Sequence, residues 1–139
     1  MLKLSLRFYL LVSILTVAGM CIVHEQFSIT FLRLVSILLL LSLCTIPGIL
    51  VFNAIFSFIR SFKLVPTFSW IILVVIISSF NHFMMNVFVL TGITDWNTAH
   101  PLLLTLNSSS FLALLIQFSS IHHLFKSFTH EKEQPLTLS

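Results

Sequence analysis

Apolar residues fall along this chain in four long, nearly unbroken runs, separated by short segments that hold most of the charged residues and histidines. The first run covers 8–23, led by Lys3 and Arg7 and closed by His24, Glu25 and Gln26. The second covers 34–59, lies between Arg33 and the pair Arg60 and Lys63, and carries Pro47 and Gly48 near its middle. A proline there removes one helix hydrogen bond and predicts a kink. The third covers 67–90, with Thr67 as the expected N-cap and Thr91 and Gly92 as the stop. The fourth covers 101–125, with Pro101 at the expected first helical position, and gives way to a polar tail over 126–139.

Runs of this length match the ~20 residues a helix needs to cross a bilayer. They lack the alternation of a membrane barrel strand, and a backbone in lipid must satisfy its own hydrogen bonds, so the pattern predicts helices. The expected fold class is an all-α membrane protein, a four-transmembrane-helix bundle forming one membrane domain. The first run also has features of a cleaved signal peptide: a basic start, an apolar core and the small residues Ala18 and Gly19. Retention as a transmembrane helix is the reading adopted, and Met20 before Cys21 disfavours lipidation.

Composition agrees with the pattern. Of 139 residues, 58% are hydrophobic and 8% charged, and the mean hydropathy is +1.10, far from the roughly 25% charged residues of soluble domains. Four spans leave too little chain for a separate soluble domain. The net charge of +3 comes from basic residues scattered at span ends, so no clustered nucleic-acid face is expected. Six of the seven Lys and Arg (Lys3, Arg7, Arg60, Lys63, Lys126 and Lys132) fall on one side if the amino terminus is inside, leaving Arg33 outside. Positive-inside bias therefore predicts both termini cytoplasmic, in a plasma or inner membrane. Tyr9 and Trp70 are then expected near the inner interface and Trp96 near the outer one.

Chemistry at membrane depth is concentrated in a few polar side chains, which usually face a bundle interior or a cavity. At about 100° per residue, Ser78, Ser79, His82 and Asn86 share an arc of the third helix, with Asn81 to one side. Ser109, Ser110, Ala113, Gln117 and Ser120 share a face of the fourth, with Asn107 and Ser108 at its outer end. These two faces are expected to pack together. The candidate polar intramembrane site is Ser78, His82, Asn86, Asn107, Ser110 and Gln117. Its plain structural reading is helix-helix hydrogen bonding, with His82 buried and bonded to Asn86 or the fourth helix. Ser13, Thr16, Ser42, Thr45, Asn53 and Ser57 are expected to serve the same packing role, and the 15 phenylalanines to supply packing bulk or face lipid.

A second candidate site is the outer rim, His24, Glu25, Asp95 and His100, which are metal-ligand residue types without a helical or finger spacing; neither a metal nor a cofactor is expected. A bis-histidine haem site is disfavoured because no histidine shares the depth of His82 on another span. The inner flank, His122, His123, Lys126, His130 and Lys132, is expected to attract anionic headgroups, tempered by Glu131 and Glu133. Cys21 and Cys44 lie at different depths and are not expected to pair. Asn107 opens a sequon, but inside a span it is not expected to be glycosylated.

The function classes narrow accordingly. None of the four Asp and Glu residues falls within a span, which removes the membrane carboxylate a small multidrug exporter requires. Paired outer cysteines, the need of a quinone-linked disulfide oxidoreductase, are also missing. The expectation is a non-catalytic protein acting by lateral association, as an accessory or assembly subunit of a membrane complex or as a homo-oligomer. Its expected partners are the lipid bilayer and other membrane subunits or itself. The alternatives are a small channel or carrier with a polar path around His82, and a membrane redox or metal-binding subunit using the outer-rim histidines.

Overall fold

The computed structural model describes residues 1–23 and 31–130. These form five helices: α1 Leu2–Val23, α2 Phe31–Phe62, α3 Pro66–Leu90, α4 Trp96–Ile116 and α5 Phe118–His130. Four stretches, Leu2–Ile22, Val35–Phe62, Pro66–Leu90 and Trp96–Ile116, are long and apolar enough to cross a membrane. No strand occurs among the described residues.

Helix ends follow local chemistry. Val65 adopts the extended conformation (φ −60°, ψ 142°) that a following proline imposes, and Pro66 opens α3 with no side-chain cap bond. Thr67 is therefore inside the helix instead of capping it. At the other end Gly92 takes φ +72°, which lets Ile93 N–H reach Phe88 O at 2.9 Å and Gly92 N–H reach Val89 O at 3.1 Å, a Schellman stop. Lys63 takes the same role after α2 with φ +50°, a left-handed conformation that costs a non-glycine residue about 1 kcal/mol. The start of α4 differs from expectation. Asp95 accepts from Thr98 N–H at 3.2 Å, so the helix begins at Trp96 and Pro101 sits inside it.

The helix carrying the fourth span also ends earlier than the apolar run suggests. It turns at Gln117, whose N–H bonds Ala113 O, and resumes as α5. The turn lays Ile121, Phe125 and Phe128, one stripe of α5, into the bundle while Ser119, His123 and Lys126 stay exposed.

The four long helices close a ring in which α1 packs on α2 and α4, and α3 packs on α2 and α4; α5 covers the ends of α2 and α3. Trp70 meets Phe118 while Asn81 meets Asn107, so α3 and α4 run antiparallel. One end of the bundle is held by aromatic rings in series. Tyr9 packs edge-on against Phe8, Phe8 stacks on Phe52 at 4.8 Å, and Phe52 tilts against Phe56. Phe56 stacks on Phe125 at 5.3 Å, which meets Trp70 edge-on, and Trp70 stacks on Phe118 at 5.0 Å. Such pairs contribute about 0.5–1.5 kcal/mol each beyond burial. Phenylalanine thus serves both expected roles: Phe8, Phe52, Phe56 and Phe125 are buried, while Phe68, Phe83 and Phe111 are exposed. Tyr9 is buried in the bundle, its ring against Gly48, where a Cβ would overlap it.

Hydroxyl groups mostly turn back on their own helix. Ser42 bonds Leu38 O, Thr45 bonds Leu41 O, Ser69 bonds Val65 O and Thr105 bonds Pro101 O. An i−4 carbonyl lies within reach of a short side chain, so bonding to a neighbouring helix is not needed to satisfy it. The outward surface is strongly apolar, with Ile14, Leu39, Ile46, Leu50, Phe68 and Leu104 all more than half exposed. A belt of this kind is unfavourable in water and suited to lipid.

Candidate functional site

The buried stripe of α3 is Ser69, Leu73, Ile77, Asn81, Met85 and Phe88, at spacings of three and four. Asn81 therefore faces the bundle at the middle of α3, at 3% exposure, as Ser69 does near its start. Its amide donates to Asn107 Oδ1 at 2.9 Å and to Ser110 Oγ at 3.2 Å, tying α3 to α4. Both bonds have good geometry for neutral amide donors.

Ser78, His82 and Asn86 lie one residue round the helix from that stripe, which turns them outward. His82, Ser78 and Ser79 are exposed and Asn86 is half-buried. The expected packing of this face against α4, and of His82 as a buried histidine, does not occur: Asn81 occupies the interior position. With Phe83 and with Asn107 of α4, these side chains border an open groove of about 510 Å³ on the flank of the bundle.

Of the six residues expected in a polar intramembrane site, four (Ser78, His82, Asn86 and Asn107) share this groove. Ser110 is buried behind it, bonded to Asn81. Gln117 stands apart, at the turn between α4 and α5, with its Oε1 buried and unpartnered. Asn81 escaped the sequence reading as a contact residue. Its signal was its place on the run Leu73, Ile77, Asn81, Met85, Phe88, which an apolar helix makes hard to recognise.

The outer-rim candidates are not assembled by the described residues. His24 and Glu25 lie outside them; Asp95 caps α4 through Thr98 N–H, and His100 is exposed beyond that cap. Among the described residues no three His, Cys, Asp or Glu side chains gather as metal ligands. On the flank expected to be inner, His122 is half-buried and stacks on Phe118 at 5.4 Å, whereas His123 and Lys126 are exposed. The tail over 131–139, with Glu131, Lys132 and Glu133, lies outside the described residues. Cys21 is exposed and Cys44 buried, both as free thiols.

Chemically, the groove offers hydroxyl, amide and imidazole groups, each able to donate and accept. That equips it to hold neutral polar groups by hydrogen bonds. No protein-family model, no curated protein and no solved structure matches the chain.

Proposed function

We propose that the chain is a multi-pass integral membrane protein, with both termini cytoplasmic, that acts by lateral association through the groove between α3 and α4. It serves as an accessory or assembly subunit of a membrane complex, or as a homo-oligomer. The observation that carries this reading is the outward placement of Ser78, His82 and Asn86 on a helix with apolar surroundings. His82 lies eight residues before Leu90, the end of α3, which at 1.5 Å per residue is about 12 Å along the helix axis. Polar groups at that depth face protein or water, not lipid. Another transmembrane helix bearing donors and acceptors would cover them, each bond contributing about 0.6 kcal/mol on average.

The proposed orientation is supported by where the charges fall. Antiparallel packing puts Lys3, Arg7, Arg60, Lys63 and Lys126 at one end of the bundle, with Trp96 and Asp95 at the other, the distribution expected of a cytoplasmic face. A channel or carrier within a single bundle gains no support, because Leu73, Ile77, Leu102 and Leu106 fill the interior. A redox or metal reading gains none from Asp95 and His100.

Cysteine crosslinking in native membranes tests the association. In a Cys21→Ser background, Phe83→Cys at the groove is expected to form a crosslinked species, while Ile14→Cys on the exposed side of α1 is not. His82→Leu combined with Asn86→Leu is expected to reduce the product. A lone monomer after gentle extraction, together with no crosslink at position 83, would refute the proposal.

A further inference from the structure

The outward face of α2 carries a second pattern. Ile46, Leu50, Asn53, Ser57 and Arg60 recur at spacings of four and three, which places them within about 80° of arc on one side of the helix. Ile46 and Leu50 are 71% and 67% exposed, Asn53 is half-buried, and Ser57 and Arg60 are exposed. The polar members therefore lie toward the end proposed to be cytoplasmic: two alkyl side chains give way to an amide, a hydroxyl and a guanidinium. The three polar members line a groove of about 350 Å³ whose other wall is Met1 and Leu2, at the start of α1.

We infer that this groove and the face leading to it hold one anionic phospholipid of the cytoplasmic leaflet. Arg60 meets the phosphate, Ser57 and Asn53 donate toward the ester carbonyls, and Leu50 and Ile46 run beside an acyl chain. The depths fit this order, since Ser57 and Asn53 lie about 4.5 and 10 Å deeper than Arg60 at 1.5 Å per residue. A guanidinium presents a planar fork of N–H groups suited to phosphate oxygens. The Arg60 guanidinium lies over the Phe128 ring at 5.9 Å, which limits the positions it takes up.

The charge at this end selects an anionic headgroup over a zwitterionic one. Lys3, Arg7, Lys63 and Lys126 share the end with Arg60, and the sequence that follows α5 adds Lys132 against Glu131 and Glu133, which leaves a basic excess. Basic grooves between helices on the cytoplasmic side are suited to such headgroups. A free phosphate ion would engage Arg60 but gain nothing from Leu50 and Ile46. The inference needs the cytoplasmic orientation, not the α3–α4 association, and its test does not depend on any partner chain.

Native mass spectrometry of the full chain, released from nanodiscs of mixed phosphatidylglycerol and phosphatidylcholine, reads the site directly. Retention of one phosphatidylglycerol in preference to phosphatidylcholine is expected. Arg60→Gln is expected to lower it about tenfold, and Ser57→Ala about threefold. Leu50→Gln, an exposed substitution that leaves the bundle core untouched, is expected to lower retention as well and carries the test should Arg60→Gln fail to fold. Equal retention of the two lipids, or retention unchanged in both Ser57→Ala and Leu50→Gln, would overturn the inference. Binding of inorganic phosphate that competes with the lipid and is insensitive to Leu50→Gln would also overturn it, as the mark of a simple anion site.

Discussion

Substituting Asn81 and its neighbour His82 separates the interior of the bundle from the proposed docking face. Asn81 is 3% exposed and makes two bonds to α4, at 2.9 Å to Asn107 Oδ1 and 3.2 Å to Ser110 Oγ. Interhelical hydrogen bonds in membranes average about 0.6 kcal/mol, with a maximum near 1.7. Asn81→Ala thus removes about 1.2 kcal/mol of bonding and leaves a small void, for a total of about 1–3 kcal/mol. That lowers the folded-to-unfolded ratio roughly 5- to 150-fold. His82 is exposed and makes no hydrogen bond to the described chain, so His82→Ala is expected to change monomer stability by less than about 0.5 kcal/mol. Unfolding in mixed micelles by rising denaturing detergent, followed through Trp70 and Trp96 fluorescence, measures both. A double-mutant cycle of Asn81→Ala with Ser110→Ala is expected to give a coupling of about 0.6 kcal/mol. A destabilised His82→Ala monomer beside a neutral Asn81→Ala would show that the wrong face of α3 has been turned inward.

Gly48→Ala would normally gain about 1 kcal/mol of helix propensity, but here the new methyl overlaps the buried Tyr9 ring, which Phe8 and Phe52 hold in place. Overpacking costs about 1–3 kcal/mol, so a net loss is expected in the same unfolding assay, and a net gain would refute the close approach of α1 to α2. Phe125→Ala empties a fully buried site between Phe56 and Trp70, a change worth about 3–5 kcal/mol. Faster tryptic cleavage at Lys126, with the four long helices still unfolding cooperatively, is the expected result, whereas unchanged cleavage would mean that α5 is held by something else.

The four spans were legible because a helix that must satisfy its backbone in lipid needs a continuous apolar run, and interruptions such as Gly92 fall where the chain must turn. The inward faces were not legible, for a related reason. A helix apolar all round gives almost no 3.6-residue signal, so the eye is drawn to the polar arc of Ser78, His82 and Asn86. In a soluble protein such a polar arc marks the solvent side; in lipid it marks contact with protein without saying which protein. The inward residue proved to be Asn81, the one that keeps the spacing of Leu73 and Met85. Pro101 misled in the same way. Its preference for a first turn is weaker than the real cap bond that Asp95 accepts from Thr98 N–H. The turn at Gln117 had no glycine or proline to announce it, since it follows from the seating of Ile121 and Phe125 against α2 and α3.

Asn107 connects the two sides of the α3–α4 seam. Its Oδ1 accepts from Asn81 in the interior, while the same side chain borders the outer groove beside His82 and Asn86. A helix docking in the groove would bond to an amide whose other end is already fixed by the bundle, so less side-chain entropy is lost than with a free asparagine. The aromatic series from Tyr9 to Phe118 holds the end of the bundle that carries Lys3 and Arg60 independently of this seam. In the proposed association, stability and docking are therefore linked through one amide. By the reciprocity of coupled equilibria, a partner that orders Asn107 strengthens the α3–α4 contact by the same free energy with which that contact strengthens the partner's binding.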